Sequence, residues 1–456
     1  MMFDREELIR ATGATVLADK KINGISYNIS TDTRTIKNGD IYLPLKGASF
    51  DGEQFIQNAV ESGAKAYFTT KDEVINGADL VLKVTDTKEA YLKIAEYYRD
   101  KISPYVIGIT GSSGKTTTKE IIYSVLSQKF KTTKTFSNHN NEIGFCQTVL
   151  SMEKDTEILI IEMGMRGLGE IELISKHLKP DYAVITNSGS AHVGRLGSLD
   201  NIAIAKCEIT TGLNPEGTLF AKNQDIIKKH VQFNGNITYY SIDDVKILKK
   251  APSYSKFRYL GDDYELNVEG DYNIENSIPA ILLGIHTGMS YPEIKQGLSQ
   301  YRPIEKRWEV EQINGLKFIN DSYNANPDSM KASVKTFIEM YDNPIVILGD
   351  MGELGDDEEK YHKEVGKYLA KTNKQIKSGL FKIKPVKYLT VGKLAATIGE
   401  ELSTQGFDTK SFANNDEVSR YILENSNESN TIFLKASRSM QFEQILENVK
   451  RGISKL

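Results

Sequence analysis

The sequence predicts an α/β protein in three domains: a central parallel-sheet domain between a small N-terminal α/β domain and a C-terminal Rossmann-like domain. Three observations lead there. The chain has 456 residues, and at about 150 residues per domain that length suits three cores. From about Tyr105 onward, short β-branched runs alternate with longer helical patterns, the rhythm of βαβ units on a mostly parallel sheet. Two proline-marked breaks, Ile102-Ser103-Pro104 and Tyr301-Arg302-Pro303, divide the chain into residues 1–104, 105–302 and 303–456.

Taken in order, residues 1–104 show short strands around Ile41–Leu45, Ala66–Thr69 and Leu80–Val84, then a helix over Lys88–Asp100. In the central segment, Tyr105–Thr110 reads as a strand, followed by a glycine-rich turn and a helix from about Lys115 to Gln128. A strand (Glu157–Glu162), a helix (Gly169–Lys179) and a strand (Tyr182–Thr186) continue the rhythm. A helix is expected across Ile202–Leu213, a β-rich stretch over Gly217–Val268, and helices over Ile274–Thr287 and Tyr291–Tyr301. The third segment offers strands at Pro344–Leu348, Val386–Val391 and Thr431–Lys435 and a helix over Asp357–Thr372, while the Lys-rich stretch Lys371–Lys387 reads as a solvated face.

Composition narrows the function classes. With 39% hydrophobic and 26% charged residues the chain is globular. Its 57 basic and 61 acidic residues leave a net charge of -4, so it lacks the broad basic field of a nucleic-acid-binding protein, and any anionic ligand needs a local site. Cys146 and Cys207 are too few for a disulfide framework and lack metal-ligand spacing. The N-terminus is charged from Asp4, without the apolar segment of a secretory signal, and the apolar runs are too short to span a bilayer. A cytoplasmic monomer is expected.

The strongest local signal is Gly108-Ile109-Thr110-Gly111-Ser112-Ser113-Gly114-Lys115-Thr116-Thr117-Thr118, between strand and helix. Backbone N–H groups of such a turn point at a polyphosphate, and the helix N-terminus adds its positive end. Ile109 stands where the strict P-loop pattern has its first glycine, leaving the shorter Gly111-x2-Gly114-Lys115-Thr116. The central domain therefore reads as a P-loop ATPase domain: Lys115 bridges phosphates, Thr116 ligates magnesium, and Glu162, ending an apolar strand, supplies a metal carboxylate. Polar clusters follow other strands: Asn138–Gly144, Asn187–His192, Asn320–Pro327 and Gly349–Gly355. Each alone fits a plain turn as well as a ligand edge.

Taken together, these clusters resemble the Mur ligase superfamily. The likeness runs the whole chain, through Asp32-Thr33-Arg34, Leu45-Lys46-Gly47 with Phe50-Asp51, Gly111–Lys119, Asn138–Gly144, Ala191-His192 through Lys206, Gly270–Asn276, Asn320–Ser329, Leu348–Gly355 and Ser437-Arg438-Ser439. Asp321–Asn326 and Gly349–Gly355 look specific to the branch that joins D-alanyl-D-alanine to UDP-N-acetylmuramoyl-tripeptide in peptidoglycan precursor synthesis. The resemblance implies an ATP-dependent amide ligation through an acyl phosphate, chemistry of positioning and charge neutralisation.

It further implies two magnesium ions, one held by Thr116 and Glu162 and one by His192, with Lys206 at the position of a carbamylated lysine. Lys115, His192, Lys206 and Arg307 are then the catalytic set. Gly111, Ser112, Ser113, Gly114, Lys115, Thr116 and Thr117 cradle the ATP phosphates with Arg307; Asn273 and Asn276 take the adenine and Asp321 the ribose. Asp32, Thr33, Arg34 and Lys46 bind the UDP part of the substrate. Asn138, Asn140 and Asn141 belong to the substrate cleft, and Asn324 and Asn326 lie toward the dipeptide. Because ATP contacts come from two domains, closure of the third onto the second is expected before chemistry. Other readings are a different ligase of the superfamily, such as a folylpolyglutamate synthase or an earlier Mur ligase, a silent nucleotide-binding switch, and a kinase.

Overall fold

The computed structural model describes residues 2–22, 24–47, 50–304, 306–378 and 382–452, so part of the Lys371–Lys387 stretch lies outside the described residues. Among the described residues the strands build three large sheets. In the first, the order is Thr15–Asp19, Leu80–Lys83, Ala66–Thr69, Ile41–Tyr42 and Ile29–Ser30, with only Thr15–Asp19 antiparallel to its neighbour. The helix Thr87–Ile102 starts where the Asp86 carboxylate accepts from the Glu89 N–H and stops at Ser103, whose φ of 55° precedes Pro104. That helix docks the first sheet on the central domain. Tyr98 Oη donates to the Met152 carbonyl at 2.9 Å, and Glu96 meets His177 Nδ1 at 2.8 Å and Lys179 Nζ at 2.6 Å.

The central sheet runs Thr132–Lys134, Ile158–Glu162, Tyr105–Thr110, Tyr182–Ile185, Thr218–Lys222 and Asn236–Tyr240, all parallel. Its inner strands are continuous apolar runs because helices cover both faces. Helix Lys115–Leu126 buries Ile121, Ile122, Val125 and Leu126 against one face, backed by Asp271–His286 and Tyr291–Gln300. The chain leaves Tyr105–Thr110 in one direction and returns on its other side at Tyr182–Ile185. The carboxyl ends of these strands therefore flank a switch point, where open α/β sheets bind ligands.

Two expectations give way here. The expected helix Ile202–Leu213 is instead Leu199–Cys207, begun early by the Ser198 cap, and continues only as a 3-10 turn, Glu208–Thr210. Beyond it the backbone at Gly212 packs against Ser175, donating to its Oγ at 3.1 Å. The expected β-rich stretch contains a helix, Asp225–His230, which buries Ile227 between two parallel strands that need a crossover.

The third sheet is ordered Glu309–Ile313, Leu316–Asn320, Thr431–Lys435, Pro344–Gly349, Lys387–Val391 and Asp408–Phe412. The first two strands form an antiparallel hairpin, and the rest are parallel. The helix expected over Asp357–Thr372 spans Glu358–Gln375. One apolar cluster joins residues of this domain, among them Met330 and Phe337, to the central helices. The carboxyl edges of the second and third sheets meet across a cleft of about 1330 Å³. That is larger than a single drug-sized pocket, and roomy enough for a nucleotide and a second ligand. Among the described residues no helix is long and apolar enough to cross a membrane.

Candidate active site

The cleft is built first by the turn after Tyr105–Thr110. At Gly111, φ is +152° and a Cβ would collide with the Thr186 hydroxyl; at Gly114, φ is +78° and a Cβ would stand 2.6 Å from Asn276 Oδ1. Both positions require glycine. The turn is braced by Asn187, which accepts from the Ser113 N–H at 3.0 Å and donates to the Ser113 hydroxyl at 2.9 Å. The helix Lys115–Leu126 opens with no capping side chain, which leaves its first N–H groups free for an anion. Lys115 Nζ folds back to the Gly111 carbonyl at 2.6 Å, and burial together with the Arg307 charge holds its ammonium below the usual lysine range, against the pull of Glu162.

Glu162, buried at the end of its strand, accepts from Asn140 Nδ2 at 3.2 Å through Oε1, while Oε2 has no hydrogen-bond partner. The nearest cation is Lys119, itself buried, with Nζ 3.7 Å from Oε2, 3.3 Å from Glu120 and bonded to the Thr135 carbonyl at 2.9 Å. The P-loop motif gave Lys119 no role. The available signal was its place one helical turn after Lys115 on the same face.

Lys206 lies on the helix Leu199–Cys207, wholly buried, and its Nζ has no hydrogen-bond partner among the described residues. Burial first and the Lys115 charge second push its ammonium well below the usual range, although Glu208 and Glu162 oppose them. His192 occupies a left-handed backbone position at φ 67°. Its Nδ1 stands 2.6 Å from Glu353 Oε2 of the third domain, and Arg195 Nε is 3.4 Å from Oε1.

From the third domain, Arg307 lies over the Tyr323 ring at 3.9 Å and Arg438 at 5.2 Å; neither guanidinium has a carboxylate partner among the described residues. Asp321 accepts from the buried Lys435 Nζ at 2.6 Å and from Ser333 Oγ at 2.8 Å. Asn326 caps the helix Pro327–Met340, and Asn141 caps Glu142–Leu150, so part of each amide is committed to structure.

Of the residues singled out from the sequence, Ser112, Ser113, Gly114, Lys115, Thr116, Thr117, Asn138, Asn140, Asn141, Glu162, His192, Asn276, Arg307, Asp321, Asn324 and Asn326 all line this one cleft. Gly111 and Lys206 lie behind its wall. Asn273 shares a helix with Asn276, but its buried Nδ2 donates to the Glu269 carbonyl at 2.7 Å. Asp32, Thr33, Arg34 and Lys46 lie in the first domain, outside the cleft; Arg34 Nη2 pairs with Asp32 Oδ2 at 2.6 Å on an open surface. That guanidinium pulls the Asp32 carboxyl down to about 2.

Comparisons with known proteins agree with this arrangement domain by domain. Family profiles described as "Mur ligase family, catalytic domain", "Mur ligase middle domain" and "Mur ligase, glutamate ligase domain" match residues 26–100, 109–284 and 306–438. The UDP-N-acetylmuramoyl-tripeptide--D-alanyl-D-alanine ligase of Bacillus subtilis is 34% identical over 440 residues, 93% of each chain. A crystal structure of MurF from Acinetobacter baumannii superposes with a TM-score of 0.87 at 28% identity, covering 99% of both chains. The Thermotoga maritima MurF solved with ADP shares the fold at a TM-score of 0.80 and 22% identity, over 94% of this chain and 98% of that one. With such relatives along its whole length, this chain belongs to the Mur ligase family, within its UDP-N-acetylmuramoyl-tripeptide--D-alanyl-D-alanine ligase branch.

Proposed function

We propose that this chain uses ATP to join UDP-N-acetylmuramoyl-tripeptide to D-alanyl-D-alanine, giving the pentapeptide, ADP and phosphate, as a cytoplasmic step of peptidoglycan precursor synthesis. The observation that carries the reading is convergence on one cleft: a P-loop lysine, an unpaired arginine from another domain, and a buried carboxylate oxygen without a partner. A binding switch needs only the first of these.

In the first step a carboxylate oxygen of the tripeptide attacks the γ-phosphorus, the bond to ADP breaks, and an acyl phosphate forms. In the second, the dipeptide amine attacks the acyl carbon, loses a proton, and the C–O bond breaks to release phosphate. The P-loop amides, Lys115 and Arg307 hold the charge that moves onto the phosphoryl oxygens. Asn276 and Asp321 orient the nucleoside, and the meeting of two domains keeps water from the acyl phosphate. Residues 1–104 supply the UDP site through Asp32, Thr33, Arg34 and Lys46, residues 105–302 the ATP site, and residues 303–456 the dipeptide side through Asn324 and Asn326.

The donors fit two magnesium ions. Thr116 and the partnerless Glu162 oxygen suit one, and His192 with a modified Lys206 suits the other. Among the described residues no three His, Cys, Asp or Glu side chains cluster as a cage, so a bound ion would need phosphate oxygens to complete its donor set. Bound magnesium neutralises phosphate charge. The Lys206 amine, its pKa depressed by burial, is poised to react with carbon dioxide, R–NH2 + CO2 → R–NH–COO⁻ + H⁺, which replaces a partnerless buried amine by an anion suited to a cation.

The test is phosphate release from ATP and magnesium with UDP-N-acetylmuramoyl-tripeptide, with and without D-alanyl-D-alanine. The reading expects release and pentapeptide formation only with both; release indifferent to the dipeptide overturns it.

A further inference from the structure

The segment Gly189–Arg195 of the central domain is gripped by two carboxylates of the third. Asp328 Oδ2 accepts from the Ser190 N–H at 3.0 Å and from its hydroxyl at 3.2 Å. Glu353 faces His192 and Arg195 with its two oxygens, and its carbonyl accepts from the Gly194 N–H at 3.1 Å. Gly194 and Gly355 touch backbone to backbone, so closely that a side chain on Gly194 would strike the Gly355 N–H.

The loop carrying Glu353 is stiff. Met351 N–H donates to His362 Nε2 at 2.9 Å, and Asp350 Oδ1 accepts from the Ala395 N–H at 2.7 Å. Two side chains with left-handed backbones, His192 at φ 67° and Glu353 at φ 63°, meet across the domain boundary. Such backbones cost of order 1–3 kcal/mol each and persist where surroundings over-determine them. Glu353 is exposed, and an exposed ion pair is worth about 1 kcal/mol or less. Stability alone does not account for the arrangement.

We propose that Glu353 is a positioning residue for His192. Its carboxylate is placed to accept a hydrogen bond from Nδ1–H of His192, which fixes the imidazole tautomer and leaves Nε2 as the nitrogen with a free lone pair. Among the described residues the buried Nδ1 has no aligned hydrogen-bond partner, and the carboxylate beside it is that of Glu353 at 2.6 Å. Histidines that bind metals commonly depend on such a carboxylate behind them. Here that carboxylate belongs to another domain, so the cation site at His192 is complete only when the third domain is closed. Closure and the second cation site are thereby one event.

This rests on the ligase reading and is tested apart from turnover. The full chain, loaded with a non-hydrolysable ATP analogue, is titrated with Mn²⁺ by electron paramagnetic resonance, and the His192 ring is read by ¹⁵N NMR. The variants are E353Q, which keeps an acceptor oxygen, and E353G, which removes the side chain and suits the left-handed backbone. The expected result is two Mn²⁺ sites in the wild type, the weaker one loosened about 10–100-fold in E353G and much less in E353Q. Nucleotide affinity stays unchanged, and the Nδ1–H tautomer is lost only in E353G. Two unaltered Mn²⁺ sites in E353G, or a single site in the wild type, overturn the proposal. Absence of dipeptide-dependent phosphate release by the wild type would instead strike the ligase reading.

Discussion

Two regions of the molecule carry the residues proposed for phosphate binding, and their cations stand in opposite electrostatic settings. In the cleft, Lys115 is held below its ordinary pKa by burial, and Arg307 carries a buried Nε with no acceptor among the described residues. In the first domain, Arg34 has 86% of its side chain in solvent and is already neutralised by Asp32. Cations stripped of water and partners act strongly on charge that develops during a reaction; a solvated pair lends a ligand only modest affinity. The proposed function puts the chemistry in the first region and a handle for the substrate in the second.

The contrast breaks most easily at Lys115. Lys115→Ala should lower dipeptide-dependent phosphate release by about 10³-fold or more while calorimetric binding of the UDP substrate stays unchanged; a loss under tenfold would contradict the division. Lys206→Ala should cost about 10²–10³-fold, and short carboxylates added to the assay should restore part of it, since they supply the missing anion. A fully active variant would remove the carbamate. On the other side, Arg34→Ala should raise the KM for the UDP substrate about tenfold, roughly 1.4 kcal/mol, with kcat unchanged.

The remaining effect is on stability rather than turnover, at the contact that ties the first domain to the second. Glu96, beside His177 and Lys179, has its carboxyl pulled from 4.5 to about 2. A depressed carboxyl stabilises the fold above its unfolded value, and that contribution fades as pH falls toward 2. Glu96→Gln should therefore cost about 1–3 kcal/mol at pH 7 in denaturant unfolding, with the gap to wild type closing in acid.

What the sequence made legible follows the same line. Gly111–Thr118 and Glu162 could be read directly because each is local: a strand, a turn and a helix start written in consecutive residues. Asn273 and Asn276 share one helix, as their spacing suggests, yet spacing does not say which amide a nearby carbonyl takes, and Glu269 takes that of Asn273. Lys119 went unassigned because its partner, Glu162, comes from another strand. The pairing of His192 with Glu353 depends on how two domains sit against each other, which no local pattern encodes. The start of the helix Leu199–Cys207 is set by the Ser198 cap, a side-chain-to-backbone bond that apolar periodicity does not show.

If the cleft makes an acyl phosphate from the tripeptide carboxylate, as proposed, a carboxylate oxygen must pass to the released phosphate. With UDP-N-acetylmuramoyl-tripeptide labelled by ¹⁸O in its terminal carboxylate, a single turnover with ATP and D-alanyl-D-alanine should release inorganic phosphate carrying one ¹⁸O. Phosphate formed without the label, alongside pentapeptide, would contradict the account.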